Sequence, residues 1–536
     1  MELLCKASAK TVFQTINNLL HKNVKVLPMY ENPTDLANRF ALFFVNKISD
    51  IHNNVTGIPP RSSEGCRMCN TVYENDWNEF ETVSEDNIKR IIIHMSNATS
   101  MLDAQPTWLL KKLINCNVPA LTCIVNSSLA SGIFPEAAHE AVVVPIIKKL
   151  NLDKDTLRNY RPVSNLSHVA KLIEKVVAIQ LTDHLNDNSL YDPMQSAYRS
   201  NFSTETALLK LQNDVLTFFD QRRSVFLVLL DLSAAFDTVD HVILLNRLES
   251  RFHISGVVLS WMKSYLTGWS SRVNIAGELS DPWVSDFGVP QGSVLGPILF
   301  SLYITPISDI INKYGLQYIC YADDIQLFTS FDPRSLENIN ETLHQISLCI
   351  AEISTWMSSN YLQLNNNKTE FMAFCSSAHH LQYISDVQLK VNNQFIPLSP
   401  KITDLGVCID NMFKLTSHVN QVVRNSNFHL RNLWRIRRFI DLKTCHHAVR
   451  ALIISRLDYC NSLYTVLSAK DRRKLETVQN RAARLIFGLG SRTHTSPLLK
   501  ELHWLPLHQR VLFKFCLYAF KILNHLAPEY LNDTLQ

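Results

Sequence analysis

Residues 318–328, Tyr-Ile-Cys-Tyr-Ala-Asp-Asp-Ile-Gln-Leu-Phe, set two adjacent carboxylates in the middle of an apolar stretch. Such a run, broken once at its centre, reads as a strand–turn–strand hairpin with Asp323 and Asp324 at the tip. Side by side, two carboxylates repel and raise each other's pKa; a solvated turn tolerates that, and a divalent cation converts it into coordination. A second short apolar run, Val225 to Leu230, reads as a buried strand and also ends on a carboxylate, Asp231. Taken alone, Asp231 reads equally well as a helix N-cap. Together the three supply what a two-ion site requires, with ions roughly 3.5–4 Å apart clamping the attacking and leaving oxygens of an in-line phosphoryl displacement.

The rest of the chain alternates helical periodicity with short apolar runs. Leu109 to about Leu129, Lys171 to His184, Asp240 to Leu248 and Val257 to Leu266 read as helical, and Ala141 to Ile147 reads as a strand. Beyond about Val422 the pattern is mostly helical. At 536 residues the chain is long enough for three or four units. Strands and helices in irregular order point to an α+β catalytic core with a helical domain appended. No apolar run reaches the roughly 18–20 residues that span a bilayer, so no membrane partner is expected. Twelve scattered cysteines read as reduced thiols of an intracellular protein. Residues 1–85 are the least legible: a helical run near Phe40 to Ile51, then a loop-like stretch from Asn53 to Cys69 that reads as a linker. Its single C-x-x-C, Cys66 to Cys69, lacks the second pair a zinc site needs and reads as ordinary cysteines.

At this point the segments resemble a known family. Tyr321-Ala-Asp-Asp324 resembles the catalytic box of reverse transcriptases. Phe226 to His241 resembles the preceding catalytic strand of non-LTR retrotransposon enzymes, and Gly288 to Ile304, with Pro290-Gln-Gly292, the box between them. Upstream, Asn159 to Asn165 and Gln195 to Arg199 are similar to the fingers segments; downstream, Leu362 to Thr369 and Leu405 to Asp410 are similar to the next palm motifs. Leu102 to Leu110 and His525 to Leu531 fit the flanks. The flavour is that of the jockey-like and chicken-repeat-like branches of the LINE class.

The resemblance implies a right-hand polymerase: fingers and palm with a C-terminal helical thumb. Its divisions fall at residues 1–85 (N-terminal segment and linker), 86–225 (N-terminal extension and fingers), 226–421 (palm) and 422–536 (thumb). It implies an RNA-directed DNA polymerase that extends a DNA primer on an RNA template from dNTPs, with Mg²⁺ or Mn²⁺. Asp231, Asp323 and Asp324 would hold the metals, with the carbonyl of Leu232 as a further ligand. Phe236 would press on the sugar of the incoming nucleotide and select deoxyribose. Gln291-Gly292 would open a helix beside the nascent pair, where Gly lets backbone approach closely. Lys148 and Arg161 would grip the triphosphate, and Lys368 could protonate the leaving pyrophosphate.

The net charge of +4 decides nothing, but its placement is uneven. Arg431, Arg435, Arg437 and Arg438 crowd one segment; Arg472, Arg473, Lys474, Arg481 and Arg484 crowd another. In the latter, Leu475, Val478, Ala482, Leu485 and Ile486 share one helical face, opposite Arg473 and Arg484. Behind a palm, such a basic face reads as a grip on the phosphates of an A-like duplex. Family members usually carry an endonuclease ahead of the polymerase, and residues 1–85 are too short for one. The expectation is therefore a fragment or repurposed copy. Its action on chromosomal DNA would be nuclear, though no strong import run is visible. A non-catalytic RNA-binding descendant and an intron-maturase-type splicing factor remain as alternatives.

Overall fold

Two sheets organise the catalytic half of the chain in the computed structural model, which describes residues 27–55, 76–392 and 394–535. Strands β1 (Glu140–Ile147), β2 (Tyr160–Asn165), β5 (Ser270–Ile275), β6 (Glu278–Leu279) and β7 (Trp283–Val284) form the first, with β2-β1-β5-β6 in order and β7 beside β5. The second, in the order β11-β3-β9-β8, joins β3 (Ser224–Leu230), β8 (Gln317–Tyr321), β9 (Asp324–Phe331) and β11 (Glu370–Phe374) in antiparallel register. Smaller pairs are β4 (Leu232–Ser233) with β10 (Gln363–Leu364), β12 (Gln388–Val391) with β13 (Gln394–Pro397), and β14 (Lys401–Asp404) with β15 (Val407–Asp410).

The second sheet divides the interior, and the two-residue period of its strands does the dividing. From β3, Phe226, Val228 and Leu230 enter one apolar cluster, while Val225 and Leu227 enter another. Phe371 and Ala373 of β11 follow the first; Met372 and Phe374 follow the second. A strand so placed is apolar on both faces, which is why Val225–Leu230 shows no polar alternation.

Helices close both sides: α1 (Pro33–Val55), α2 (His168–Asp187), α3 (Thr204–Asp220), α4 (His241–Phe252), α5 (Gly256–Leu266), α6 (Gly296–Ile304), α7 (Leu336–Ser359), α8 (Thr416–Ile436) and α9 (Ala469–Phe487) are the ones that matter below. Their starts follow capping chemistry: Ser167 accepts from the Ala170 amide, Ser203 forms a reciprocal box with Thr206, and Asp240 accepts from the Ile243 amide at 2.8 Å.

Several sequence expectations shift. Gln291-Gly292 does not open a helix: α6 begins at Gly296, with Pro297 in its first turn, and Gly292 has a φ of +126° that no helix allows. The thumb boundary at 421/422 cuts through α8, which starts at Thr416. The segment from Leu109 to Leu129 is two helices, Thr107–Lys112 and Ile114–Ser131, jointed at Leu113. Asp231 caps no helix, because β4 follows it directly. Cys66 and Cys69, with most of the stretch read as a linker, lie outside the described residues. The described cysteines form no disulfide, and no described helix is long and apolar enough to cross a membrane.

Candidate active site

Asp231 stands one residue beyond the end of β3, and sheet register decides what it faces. Leu230 pairs with Ile325 across β3 and β9, so one step further along the same register sets Asp231 opposite Asp324. Tyr321 pairs with Asp324 across the hairpin, leaving Ala322 and Asp323 as the turn. The three acids thus meet at one end of the sheet. Ala322 takes a φ of +57°, uncommon for a residue with a Cβ. Its amide donates to Oε1 of buried Gln195 at 2.9 Å, and the Ser196 amide donates to the Cys320 carbonyl at 2.8 Å. The Gln195–Arg199 segment is therefore a brace for the Ala322–Asp323 turn.

Electrostatics record the crowding. Burial, then Asp323 and Asp231, push the Asp324 carboxyl up to about 6. Burial and Asp231 likewise push Asp323 up. Lys368 donates to Asp231 Oδ2 at 2.9 Å, and the Asn365 amide donates to the Asp231 carbonyl at 2.9 Å, so the Leu362–Thr369 segment is tied directly to the site. Leu232 pairs with Leu364 in β4–β10. Among the described residues no three His, Cys, Asp or Glu side chains already converge as a metal cage. The donor set nonetheless fits a hard divalent cation: oxygen-only and mutually repelling, with the Lys368 ammonium the only cation bonded to it among the described residues.

Of the expected nucleotide contacts, Lys148 lies in the field of these acids. Burial, Lys47 and Lys368 push its ammonium down, while Asp237 and Asp231 push it up, and its Nζ donates to the Arg158 carbonyl at 2.9 Å. Arg161 is exposed on β2, opposite Ile146 of β1. Phe236 packs on Phe300 with ring centres 4.7 Å apart, and its carbonyl accepts from the Val289 amide at 2.9 Å. Gln291 donates its side-chain amide to Asp237 Oδ1 at 2.7 Å, and its carbonyl accepts from the Ser164 amide at 2.6 Å. Gly292 is required here: a Cβ would lie 2.3 Å from the Ser164 carbonyl oxygen.

Sequence reading missed two acids that hold this turn. Asp237 is one. Glu174 is the other, fully buried on α2, where it accepts from the Val294 amide and, at 3.3 Å, from the Tyr265 hydroxyl. Burial pushes its carboxyl up to about 7, against those hydrogen bonds. A Glu in an amphipathic helix carries no local signal of such a role.

The arginines of the C-terminal helices divide by what they touch. Arg473 is exposed on α9, opposite its apolar face. Arg481 donates to Asn427 Oδ1 at 3.1 Å, and Arg484 to the Thr493 carbonyl at 2.9 Å. Arg437 donates to the carbonyls of Leu485, Ile486 and Ile440, capping the end of α9. A cavity of about 980 Å³ lies between His446, Arg450, Trp504 and Arg510, and none of the three carboxylates lines it. Two of its cations are engaged, Arg510 with Asp458 and Lys514 with Glu205 at 2.7 Å, and it holds no acid cluster.

Residues 147–407 match the family model described as reverse transcriptase (RNA-dependent DNA polymerase). The probable RNA-directed DNA polymerase from transposon BS of Drosophila melanogaster is 26% identical over 68% of this chain and 40% of its own length. The RNA-directed DNA polymerase from mobile element jockey of Drosophila funebris is 24% identical over 69% of this chain and 40% of its own. The chain thus spans about 40% of the length of these relatives. An apo telomerase structure from Candida tropicalis superposes at a TM-score of 0.40 with 14% identity, covering 82% of this chain and 72% of that one, a likeness too slight to argue from.

Proposed function

We propose, taking residues 147–407 as the reverse transcriptase domain that they match, that this protein is an RNA-directed DNA polymerase of the non-LTR retrotransposon type. It extends a DNA primer on an RNA template from dNTPs. The observation that carries the reading is the register that sets Asp231 opposite Asp324 beside the Asp323 turn, inside the matched region.

Asp231, Asp323 and Asp324, with the Leu232 carbonyl, would hold Mg²⁺ or Mn²⁺; such ions, when bound, stabilise charge on the entering and leaving oxygens of a phosphoryl transfer. Lys368, already paired with Asp231, sits where it could hand a proton to departing pyrophosphate. Lys148 offers a positive charge to the triphosphate, and Arg161 lies on the neighbouring strand of the same sheet. Phe236, wedged against Phe300, presents a rigid ring toward the sugar, and a rigid ring excludes a 2′-hydroxyl better than a mobile one. Gln291 and Gly292 line the base-pair side of the site. Arg473, Arg481 and Arg484 on α9 meet duplex phosphates.

The test is extension of oligo(dT) on poly(A) with Mg²⁺ and dTTP, beside an Asp323→Asn variant. Wild-type product that falls by ~10³-fold or more in the variant is expected, the scale for losing one group of a metal-assisted constellation. Undiminished synthesis by Asp323→Asn would overturn the site, and folded, RNA-binding protein without product would overturn the activity.

A further inference from the structure

The nucleotide end of the palm is backed by a helix from far upstream. α1 packs Leu36, Phe40 and Phe44 against Val143, Ile147, Tyr160 and Val273 of the first sheet. It is fastened at both ends. Asn38 Oδ1 accepts from the Asp281 amide at 2.8 Å, and the His52 ring lies between Phe287 and Tyr361, 3.7 and 4.4 Å from their centres. Burial pushes the His52 imidazole down, against the charge of Asp240. Between those anchors, Lys47 lines a cavity of about 80 Å³ whose other polar walls include Ser164, Asp237 and Gln291.

The chemistry of that cavity is specific. An ionised carboxylate only accepts hydrogen bonds, so Asp237 dictates that Gln291 turn its NH₂ toward it and its Oε1 away. A protonated Asp237 could donate instead, and the amide would be free to flip. Burial favours that protonated form; among the charges opposing it Lys47 comes first, ahead of Lys148. The backbone half of Gln291 is fixed independently, through the Ser164 amide and the Gly292 contact. The side-chain half depends on Asp237, which adds a further restraint on the turn that carries Gln291.

We infer that Lys47 is a positioning residue of the polymerase site: from α1 it supplies the counter-charge for Asp237, whose carboxylate orients the Gln291 amide. The inference rests on the proposed polymerase function. Lys47 touches no reacting atom; it acts through Asp237, and α1 thereby becomes part of the nucleotide site.

Steady-state extension on poly(A)/oligo(dT) tests it by splitting KM for dTTP from kcat. Lys47→Met should raise KM about 10-fold with kcat changed less than about 2-fold, the signature of a misaligned binding group. Lys47→Arg should restore wild-type KM. In an Asp237→Asn background, Lys47→Met should add no more than about 2-fold, because the charge it serves is gone. Leu36→Ala, which loosens α1 at its far end, should lower Tm and leave KM for dTTP alone. Amide hydrogen exchange over residues 288–296 reads the same turn without turnover: faster in Lys47→Met, unchanged in Lys47→Arg. An unchanged KM in Lys47→Met, or effects of Lys47→Met and Asp237→Asn that multiply, would overturn the inference. Absence of wild-type product would instead count against the polymerase reading, and the exchange experiment would then decide alone, unchanged exchange in Lys47→Met overturning the pairing.

Discussion

Asp404 closes β14 against β9 of the Asp323–Asp324 hairpin, and it should be a neutral acid at physiological pH. It is 3% exposed, and its Oδ1 accepts from Gln326 Nε2 at 2.8 Å. The two polar atoms left over, Asp404 Oδ2 and Gln326 Oε1, are both buried and both without a partner. Two planar groups that share one hydrogen bond and leave one acceptor each lack a single proton between them. A carboxylic acid supplies it, giving a two-bond acid–amide pair. The surroundings agree: burial first, then the charges of Asp324 and Glu370, push the Asp404 carboxyl up to about 8 from its ordinary 3.8.

The sign follows from linkage. With the folded value above the unfolded one, the folded state binds the extra proton between pH ~4 and ~8, so stability falls as pH rises through that window and levels off above it. Preference by roughly four powers of ten corresponds to at most ~5.5 kcal/mol, and relaxation around a buried charge leaves an expectation of ~2–4 kcal/mol. Asp404→Asn places an NH₂ where the acid carries its O–H and keeps both bonds at every pH. Calorimetry should therefore give equal Tm for the two proteins at pH 5 and an advantage for Asp404→Asn at pH 9 of at least several degrees. Asp404→Leu, which strands Gln326, should lose stability at both pH values. A constant offset between Asp404→Asn and wild type from pH 5 to 9 would refute the neutral-acid pair.

Three further outcomes are expected. Gly292→Ala should cost about 100-fold or more in extension with near-UV circular dichroism unchanged, since the added Cβ meets the Ser164 carbonyl oxygen at 2.3 Å and φ is +126°. Wild type should lose stability between pH ~4.5 and ~7 partly on account of Glu174, whose folded value is raised to about 7, and Glu174→Gln should make the profile shallower in that window, read from denaturant midpoints, leaving the slope that Asp404 contributes. Arg473→Gln should reduce the slope of log affinity against log salt for an RNA–DNA duplex by ~1, whereas Arg437→Gln should lower Tm, because its guanidinium holds the carbonyls at the end of α9.

What the sequence disclosed and what it hid divide along a physical line. Strand period, the apolar run into Asp231 and the hairpin around Asp323-Asp324 are local patterns, and all three stand in the structure. Gln291-Gly292 reads as a helix start, yet α6 begins only at Gly296, with Pro297 in its first turn. Lys47, Glu174, Asp237 and Asp404 were not legible, because each acts through a partner more than 50 residues away: Glu174 with Val294, Asp237 with Gln291, Asp404 with Gln326, Lys47 with Asp237. Nothing in the composition of α1 distinguishes a helix that docks on a sheet from one that floats before it. The arginines of the C-terminal helices count alike in a sequence, and only contacts separate Arg437, committed to a helix end, from Arg473, which is exposed.

The turn that carries Asp323 shows why those distant partners exist. A two-residue hairpin turn with a positive φ ordinarily uses Gly, Asn or Asp at that position. Here Ala322 occupies it at +57°, a strain of order 1–2 kcal/mol. The local sequence is thus poor turn chemistry. What holds the turn is non-local: Gln195 takes the Ala322 amide, and the bridge between Gln195 and Cys320 pins the strand leading into it. Asp231 is treated alike, its carbonyl held by the Asn365 amide and its carboxylate by Lys368. Gln291 in turn is held by Asp237 and Ser164. Each segment bearing a reactive group is fixed by a polar group from another segment, so the tetrapeptide Tyr321–Asp324 is free to carry two carboxylates where turn propensity alone would have chosen otherwise. Removing any one brace should therefore displace a carboxylate or an amide without unfolding the sheet, whose two apolar clusters draw nothing from these bonds.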